Sequence, residues 1–443
     1  MASDMLSIGS SGLRAAQAAL DVTSQNIANA ATTGYVRRSV SQTELASAGN
    51  GTSYGVIAQW GVRVTGITRN VDATSQSEVR RTGSDAARAD TLVTGLTTVS
   101  NAVDKSNVYA SITAFQSALS KLTSSPADSS LRANVLSAAG NMAQSFQTAK
   151  ASLASAQSGF QLSASDGVSQ VNTLASGLAK LNKAIGTTTD PDAQATLLDQ
   201  RDTMLQQLSQ LGDITTTIAS NGTVNVQMGG ASGPMLVTGP TASTMALSQD
   251  ATGAISYTLG GSALTLSGGS LAGTQQAMAS AISAGSSLDS IANALISTAN
   301  NAQANGAALD GSAGQPLFSG SGAAGIAVAL TSGSGIAAAA SGSAANSSDS
   351  TNLNALISSL GSVNVAGQAN SLLYNLSSAV ASNTTTRNTL DTIYANAQTT
   401  LSSQSGVNSD EEAANLIRYQ QAYQASAKVI SVAQTLFDQL LQI

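Results

Sequence analysis

Residues 406–441 read GVNSDEEAANLIRYQQAYQASAKVISVAQTLFDQLL, and the spacing within them decides the architecture. Leu416, Tyr419, Tyr423, Ser426, Ile430, Ala433, Phe437 and Leu440 recur at alternating steps of three and four. Side chains so spaced share one face of a helix, and the alternation is that of a heptad seam. Gly406 breaks the helix before it. Ser409 and Glu412 have the spacing of a capping box at the restart.

The opposite end of the chain repeats the pattern. Leu6, Gly9, Leu13, Ala16, Leu20, Thr23, Ile27 and Ala30 alternate in the same way and predict a helix over 4–31. Ser3 or Asp4 can cap its start, and Gly34 can stop it. Each stripe needs an apolar partner. Spacing leaves two arrangements open: two amphipathic helices on a common core, or a coiled coil between the two ends. In the second, the assembly seam is Leu6, Leu13, Leu20 and Ile27 with Leu416, Tyr419, Tyr423, Ile430, Phe437 and Leu440.

Between the ends, Gly61–Arg69 alternates as a strand. Residues 84–123 read as one or two helices, and 128–185 as one long bundle helix or two end to end, with bends expected at Asp166-Gly167 and Gly177. Asp190-Pro191 restarts a helix to about Leu211. Residues 213–272 change to short alternating runs punctuated by Asn221-Gly222, Gly260-Gly261 and Gly268-Gly269, which predicts a small all-β domain. Helix returns over 274–304. Residues 319–350 are Gly-, Ala- and Ser-rich, either a loop or irregular strands. Asn352–Leu360 and Ala366–Ser403 complete the helical layer. The fold class is therefore mainly α: a long helical bundle with paired terminal helices and a small inserted β domain. The expected division is 1–60 with 406–443, 61–212 with 273–405, and 213–272.

The string LDVTSQNIANAATTGY at 20–35 resembles the N-terminal signature of the bacterial flagellar axial proteins, the rod, hook and hook-associated group. Residues 406–430 resemble the hook-associated junction members, and DEEAANLI at 410–417 separates them from rod and hook proteins. LLDQRD at 197–202 resembles another junction-protein segment. Read locally, it is a solvated helix face with an Asp–Arg pair contributing a few tenths of a kcal/mol, roughly. Asp72 and Arg80 match the family's strand-to-helix passage, although Thr74 and Ser75 replace larger apolar residues. Gly306, Leu309, Gly311, Gly314 and Phe318 match a further signature. Gln303 and Ala308 stand there in place of the usual histidine and aspartate.

The resemblance implies a structural subunit that joins hook to filament outside the cell and self-associates in a ring or tubular layer. It implies contacts with hook protein and a second junction protein. It also implies a chaperone on the C-terminal helix, and type III export without a Sec signal peptide. The other possibilities are a different axial subunit (hook, rod or filament) or a secreted Ser/Thr/Ala-rich adhesin.

Composition points away from catalysis. The 443 residues include no histidine and no cysteine. Imidazole bases, thiol nucleophiles and their metal sites are thereby excluded. Gly51, Ser53 and Gly55 fit G-x-S-x-G but lack a histidine base. None of the six lysines has a serine three residues before it. Asp190 and Asp192 are too few for a calcium loop, and Glu411-Glu412 suit a helix start. No catalytic residue, metal site or cofactor is expected. No Lys or Arg occurs between Asp202 and Thr386, which speaks against a nucleic-acid partner. No apolar run approaches a membrane span.

Overall fold

The computed structural model describes residues 2–32, 34–46 and 59–441, with side chains for 5–32, 34–45 and 61–439. The G-x-S-x-G match at 51–55 and the side chain of Leu440 lie outside the described residues. The chain is mainly helical, with small antiparallel sheets. In order run α1 (Ala2–Ala28), β1 (Arg38–Ala46), β2 (Gln59–Arg69), α2 (Ala73–Asp104), α3 (Val108–Leu122), α4 (Ser129–Thr187) and α5 (Pro191–Leu211). Then follow β3 (Ile214–Ile218), β4 (Val224–Met228), β5 (Met235–Thr238), β6 (Thr241–Ala242), β7 (Met245–Gln249), β8 (Ile255–Leu259) and β9 (Ser262–Leu264). Last come α6 (Gly269–Ala304), several two-residue strands with a four-residue helix at Gly322–Gly325, and three helices. These three are Thr351–Val363, Val365–Ser405 and Ser409–Leu441, the last called the C-terminal helix below. No helix among the described residues is long and apolar enough to cross a membrane.

The chain divides into two compact units. The first comprises Met1–Gly83, Asn172–Thr244 and Asp391–Ile443. Here β1 and β2 pair antiparallel, from Arg38 opposite Arg69 to Glu44 opposite Val62. Asp72 caps α2 by accepting from the backbone N–H groups of Thr74 (2.8 Å) and Ser75 (3.1 Å). Ser75, where an apolar residue was expected, donates its hydroxyl to Gln404 Oε1 at 2.6 Å. Asp190 caps α5 and Pro191 opens it, as the sequence indicated. Strands β3 to β6 form one four-stranded sheet in sequence order. In β4 the alternation is visible directly: Val224, Val226 and Met228 are buried, while Asn225 and Gln227 are partly exposed.

The second unit comprises Ser84–Val171 and Met245–Leu390. Its core runs from Val99 through Ile112, Phe115 and Leu119 of α2 and α3, Met142, Phe146 and Leu153 of α4, and Leu288, Ile291 and Leu295 of α6. Phe115 and Phe318 meet edge to face, their ring centres 5.9 Å apart. Arg132 is fully buried here without a carboxylate. Its guanidinium donates to the carbonyls of Pro126 (2.5 Å) and Ile336 (2.7 Å), and burial lowers its pKa from the usual arginine value. Residues 319–350 prove to be irregular strands and turns. Gln303, at the family's histidine position, is buried and accepts from Ala337 N–H at 2.6 Å through Oε1.

One expectation changes, and one choice between alternatives is resolved. Residues 213–272 do not make a single sheet domain. Strands β7 to β9 form a separate three-stranded sheet in the second unit, while β3 to β6 stay in the first. And α4 is one unbroken helix through Asp166-Gly167 and Gly177. Packing explains both glycines. A Cβ at Gly167 would lie 2.7 Å from Leu271 Cδ2, and one at Gly177 would lie 3.3 Å from Met204 Cε. At these glycines a neighbouring side chain stands where a Cβ would lie.

Candidate assembly surface

Helix α1 and the C-terminal helix pack side by side in opposite directions. Gly9 faces Ile430, Gly12 faces Ser426, and Asn26 faces Glu412. A Cβ at Gly9 would lie 2.8 Å from Ile430 Cγ1, so the approach depends on glycine there. Apart from Asn26, the buried side chains of α1 are small: Ser11, Ala15, Ala16, Ala19, Val22 and Thr23. Small residues at the crossing bring the backbones close and move larger side chains to the flanks.

That displacement sets where the expected seam residues sit. Ile430, which meets Gly9, is half-buried, as are Leu6, Leu13, Leu20, Leu416 and Tyr419. Ile27, Tyr423 and Phe437 are exposed. Ile8, Ile417, Val429, Val432 and Leu436 are exposed as well. The helix pair thus leaves several large apolar side chains uncovered, most of them on the C-terminal helix.

A polar lattice, not foreseen from periodicity, holds the other end of the pair. Asn26, 1% exposed, donates through Nδ2 to Glu412 Oε2 (3.0 Å) and to the carbonyl of Arg38 (2.8 Å). Its Oδ1 accepts from Arg38 N–H (3.0 Å) and the Tyr35 hydroxyl (2.9 Å). Arg37 forks onto Glu411 (2.9 and 3.2 Å) and reaches Glu412 through Nε at 3.1 Å. Arg38 pairs with Asp199 at 2.7 Å. Arg69 bridges Asp199 (2.7 Å) and Asp202 (2.6 Å). Asp202 also takes two donors from Arg201 (2.6 and 2.9 Å) and one from Gln76 (3.2 Å). Arg201 itself reaches the carbonyl of Gly222 at 2.5 Å.

The lattice corrects three local readings. The 197–202 string is not a solvated face: Arg201 is 4% exposed, and the Asp202 side chain 9%. Asn408, rather than Ser409, caps the C-terminal helix, accepting from Asp410 N–H at 3.0 Å. Glu412 turns away from a capping box to Asn26 and Arg37. Glu411 and Glu412 do lie in the first helical turn, where a carboxylate is favoured, but their oxygens are also ion-paired.

Electrostatics follow from this geometry. Burial pushes the Asp202 carboxyl up, yet the Arg201 and Arg69 guanidiniums outweigh it and hold the group below the usual carboxylate range. Burial raises the Tyr35 phenol, with Arg38 opposing. Burial lowers Arg80, which lies beside the same cluster. The arrangement holds segments in place; among the described residues no cluster of His, Cys, Asp or Glu that could hold a metal occurs.

Asn26, Glu412, and the Asp199–Arg201–Asp202 group come from the three strings that carried the flagellar resemblance, and here they form one connected structure. Comparison with known proteins agrees. Residues 93–318 match the family model described as flagellar hook-associated protein FlgK helical domain, just over half the chain. Residues 398–443 match the flagellar basal body rod FlgEFG protein C-terminal family, and 6–35 the flagella basal body rod protein family. Flagellar hook-associated protein 1 of Salmonella typhimurium is 30% identical over 55% of this chain and 44% of its own length. Its namesake in Bacillus subtilis is 30% identical over 47% of this chain and 43% of its own length. The chain thus spans under half the length of these relatives. The solved flagellar hook junction protein FlgK from Burkholderia pseudomallei shares the fold, with a TM-score of 0.50 at 24% identity, over 55% of this chain and 46% of that one. By the match over its helical domain, the chain belongs to the flagellar hook-associated protein FlgK family.

Proposed function

We infer that the chain is a structural subunit of the bacterial flagellum that joins hook to filament, polymerising at the hook tip through its terminal helices. The observation that carries this is a helix pair whose surface leaves large apolar side chains uncovered: Ile417, Tyr423, Val429, Val432, Leu436 and Phe437 on one helix, Ile8 and Ile27 on the other. Such a surface calls for a cover, and further copies in a ring or tubular layer supply it. Hook protein on one side and a second junction protein on the other are the neighbours this role requires. The same face suits an export chaperone before assembly, and delivery outside the cell through the flagellar export apparatus fits the role. The seam residues, from Leu6 to Ile27 and from Leu416 to Leu440, are the working residues. No chemistry is assigned to the chain.

The test is immunogold microscopy of detached flagella with antibody to residues 213–272. Label in a narrow band between hook and filament is expected. Label along the filament would make the chain a filament subunit, and label on the cell body alone would make it an adhesin. Ile430→Asp, placed against Gly9, is expected to abolish the band.

A further inference from the structure

The seam between α1 and the C-terminal helix is poorly suited to fixing its own register. On α1 it presents Gly9 to Ile430 and Gly12 to Ser426, and among the described side chains of the C-terminal helix only Glu412 and Ala433 are buried. Sliding the C-terminal helix by one heptad, about 10.5 Å at 1.5 Å per residue, sets Ala433 opposite Gly12 in place of Ser426. One small residue replaces another there, while Phe437 comes opposite Gly9 in place of Ile430, one large apolar residue for another. The opposite slide brings Tyr419 there, where a Cβ on Gly12 already lies 3.0 Å from Ser426 Oγ.

The polar contacts at the other end distinguish these registers sharply. In the observed one, Glu412 meets Asn26 at 3.0 Å and Arg37 at 3.1 Å. Asn26 is at the same time tied to the backbone of Arg38 in both directions. A slide removes the carboxylate and leaves a buried amide donor and a guanidinium without their partner. Buried polar groups cost most when half-satisfied, and a single buried polar contact can select one register of paired helices.

We propose that Asn26 and Glu412 are positioning residues that set the register of the terminal helix pair, and so decide which residues of the two helices stand level with one another for assembly. The small-residue seam supplies close packing but not the choice of register. This deepens the assembly reading, because a slide of one heptad changes which exposed apolar residues of the two helices stand level with one another. It rests on the paired-helix part of that reading. The test below uses the free full-length chain without hooks, so its failure leaves the junction assignment standing.

The absence of native cysteine makes each engineered pair an unambiguous reporter. Gly12→Cys with Ser426→Cys reports the observed register, because the two Cβ positions are 3.7 Å apart, within the disulfide range of about 3.5–4.5 Å. Gly12→Cys with Ala433→Cys reports the slide. Under mild oxidation the parent chain is expected to close the first pair only. Adding Asn26→Ala should lower that yield severalfold and raise the second pair above its yield in urea. Glu412→Gln, which keeps an acceptor but loses the charge facing Arg37, should give an intermediate shift. Closure of the first pair alone in both variants would show that the seam chooses its own register. Equal closure of both pairs in the parent would show that no register is fixed. Both pairs falling to their urea yields in the variants would show a network that holds the helices together without choosing between registers. Each of these three results overturns the proposal.

Discussion

Replacing Asp202 by Asn tests whether the buried lattice carries stability. Asp202 accepts from Arg201 Nε and Nη2 (2.9 and 2.6 Å), Arg69 Nη2 (2.6 Å) and Gln76 Nε2 (3.2 Å). Asparagine keeps the shape but turns an NH2 group toward donors and removes the charge between two guanidiniums whose side chains are 5% and 7% exposed. At an effective dielectric near 20, each close pair is worth about 4 kcal/mol before desolvation. Desolvation offsets much of that, but it is not recovered when only one partner is removed, and such a deletion costs about 3–5 kcal/mol. At 1.4 kcal/mol per factor of ten, local opening should become about 10²–10³ times more frequent. Native-state hydrogen exchange at amides of β2 and α5 reads this directly. The control is Glu78→Gln, which breaks the Arg81 pair at 2.6 Å between side chains 47% and 61% exposed. A surface pair of this kind contributes about 0–1 kcal/mol. If the two variants accelerate exchange to the same extent, water has replaced the lost carboxylate and the lattice is not a stabilising element.

The same group predicts an acid limit. Its folded pKa is depressed, so its contribution is present above the unfolded value of about 3.9 and is lost as pH falls through the lower folded value; the difference in midpoint between the parent and Asp202→Asn should close there, as urea titrations can show. In α4, Gly167→Ala would press a methyl against Leu271 at 2.7 Å and should destabilise by about 1–3 kcal/mol, whereas Gly140→Ala and Gly159→Ala meet nothing within 4 Å and should stabilise by about 0.5–1 kcal/mol in the same denaturation assay. Tyr257, whose phenol burial drives far up, donates to the carbonyl of Leu271 at 3.0 Å; Tyr257→Phe should cost about 1 kcal/mol in urea denaturation, and an unchanged midpoint would refute that bond's contribution.

What the sequence showed and what it hid divide along physical lines. Helices were legible because a 3.6-residue period is local, and so were the strands of 213–272 because they alternate. The hairpin strand Arg38–Ala46 was not legible: it is mostly polar, and its identity as a strand comes from pairing with β2. Gly167 and Gly177 were legible as glycines but not in purpose, because Leu271 and Met204 lie far along the chain. The close approach of the terminal helices is made by Gly9 against Ile430 and Gly12 against Ser426; Gly9, Ser426 and Ile430 fall on the periodic stripes, and Gly12 does not.

The lattice was hidden for a different reason. A charged residue in a sequence reads as solvated unless its partner is nearby, and these partners are separated by as many as 386 positions. Yet the polar residues had already been quoted, inside strings whose periodicity gave no reason for them. Nothing about a helix face asks for Asn at 26 or for Asp at both 199 and 202. A polar residue on the buried side of an apolar stripe is therefore the place to look for a long-range partner. Thr23 and Asn26 occupy such positions on α1, and Thr23 and Asn26 are both buried. Asn26 meets the chain's other end at Glu412, so a buried polar residue of the first helix is what identifies its partner.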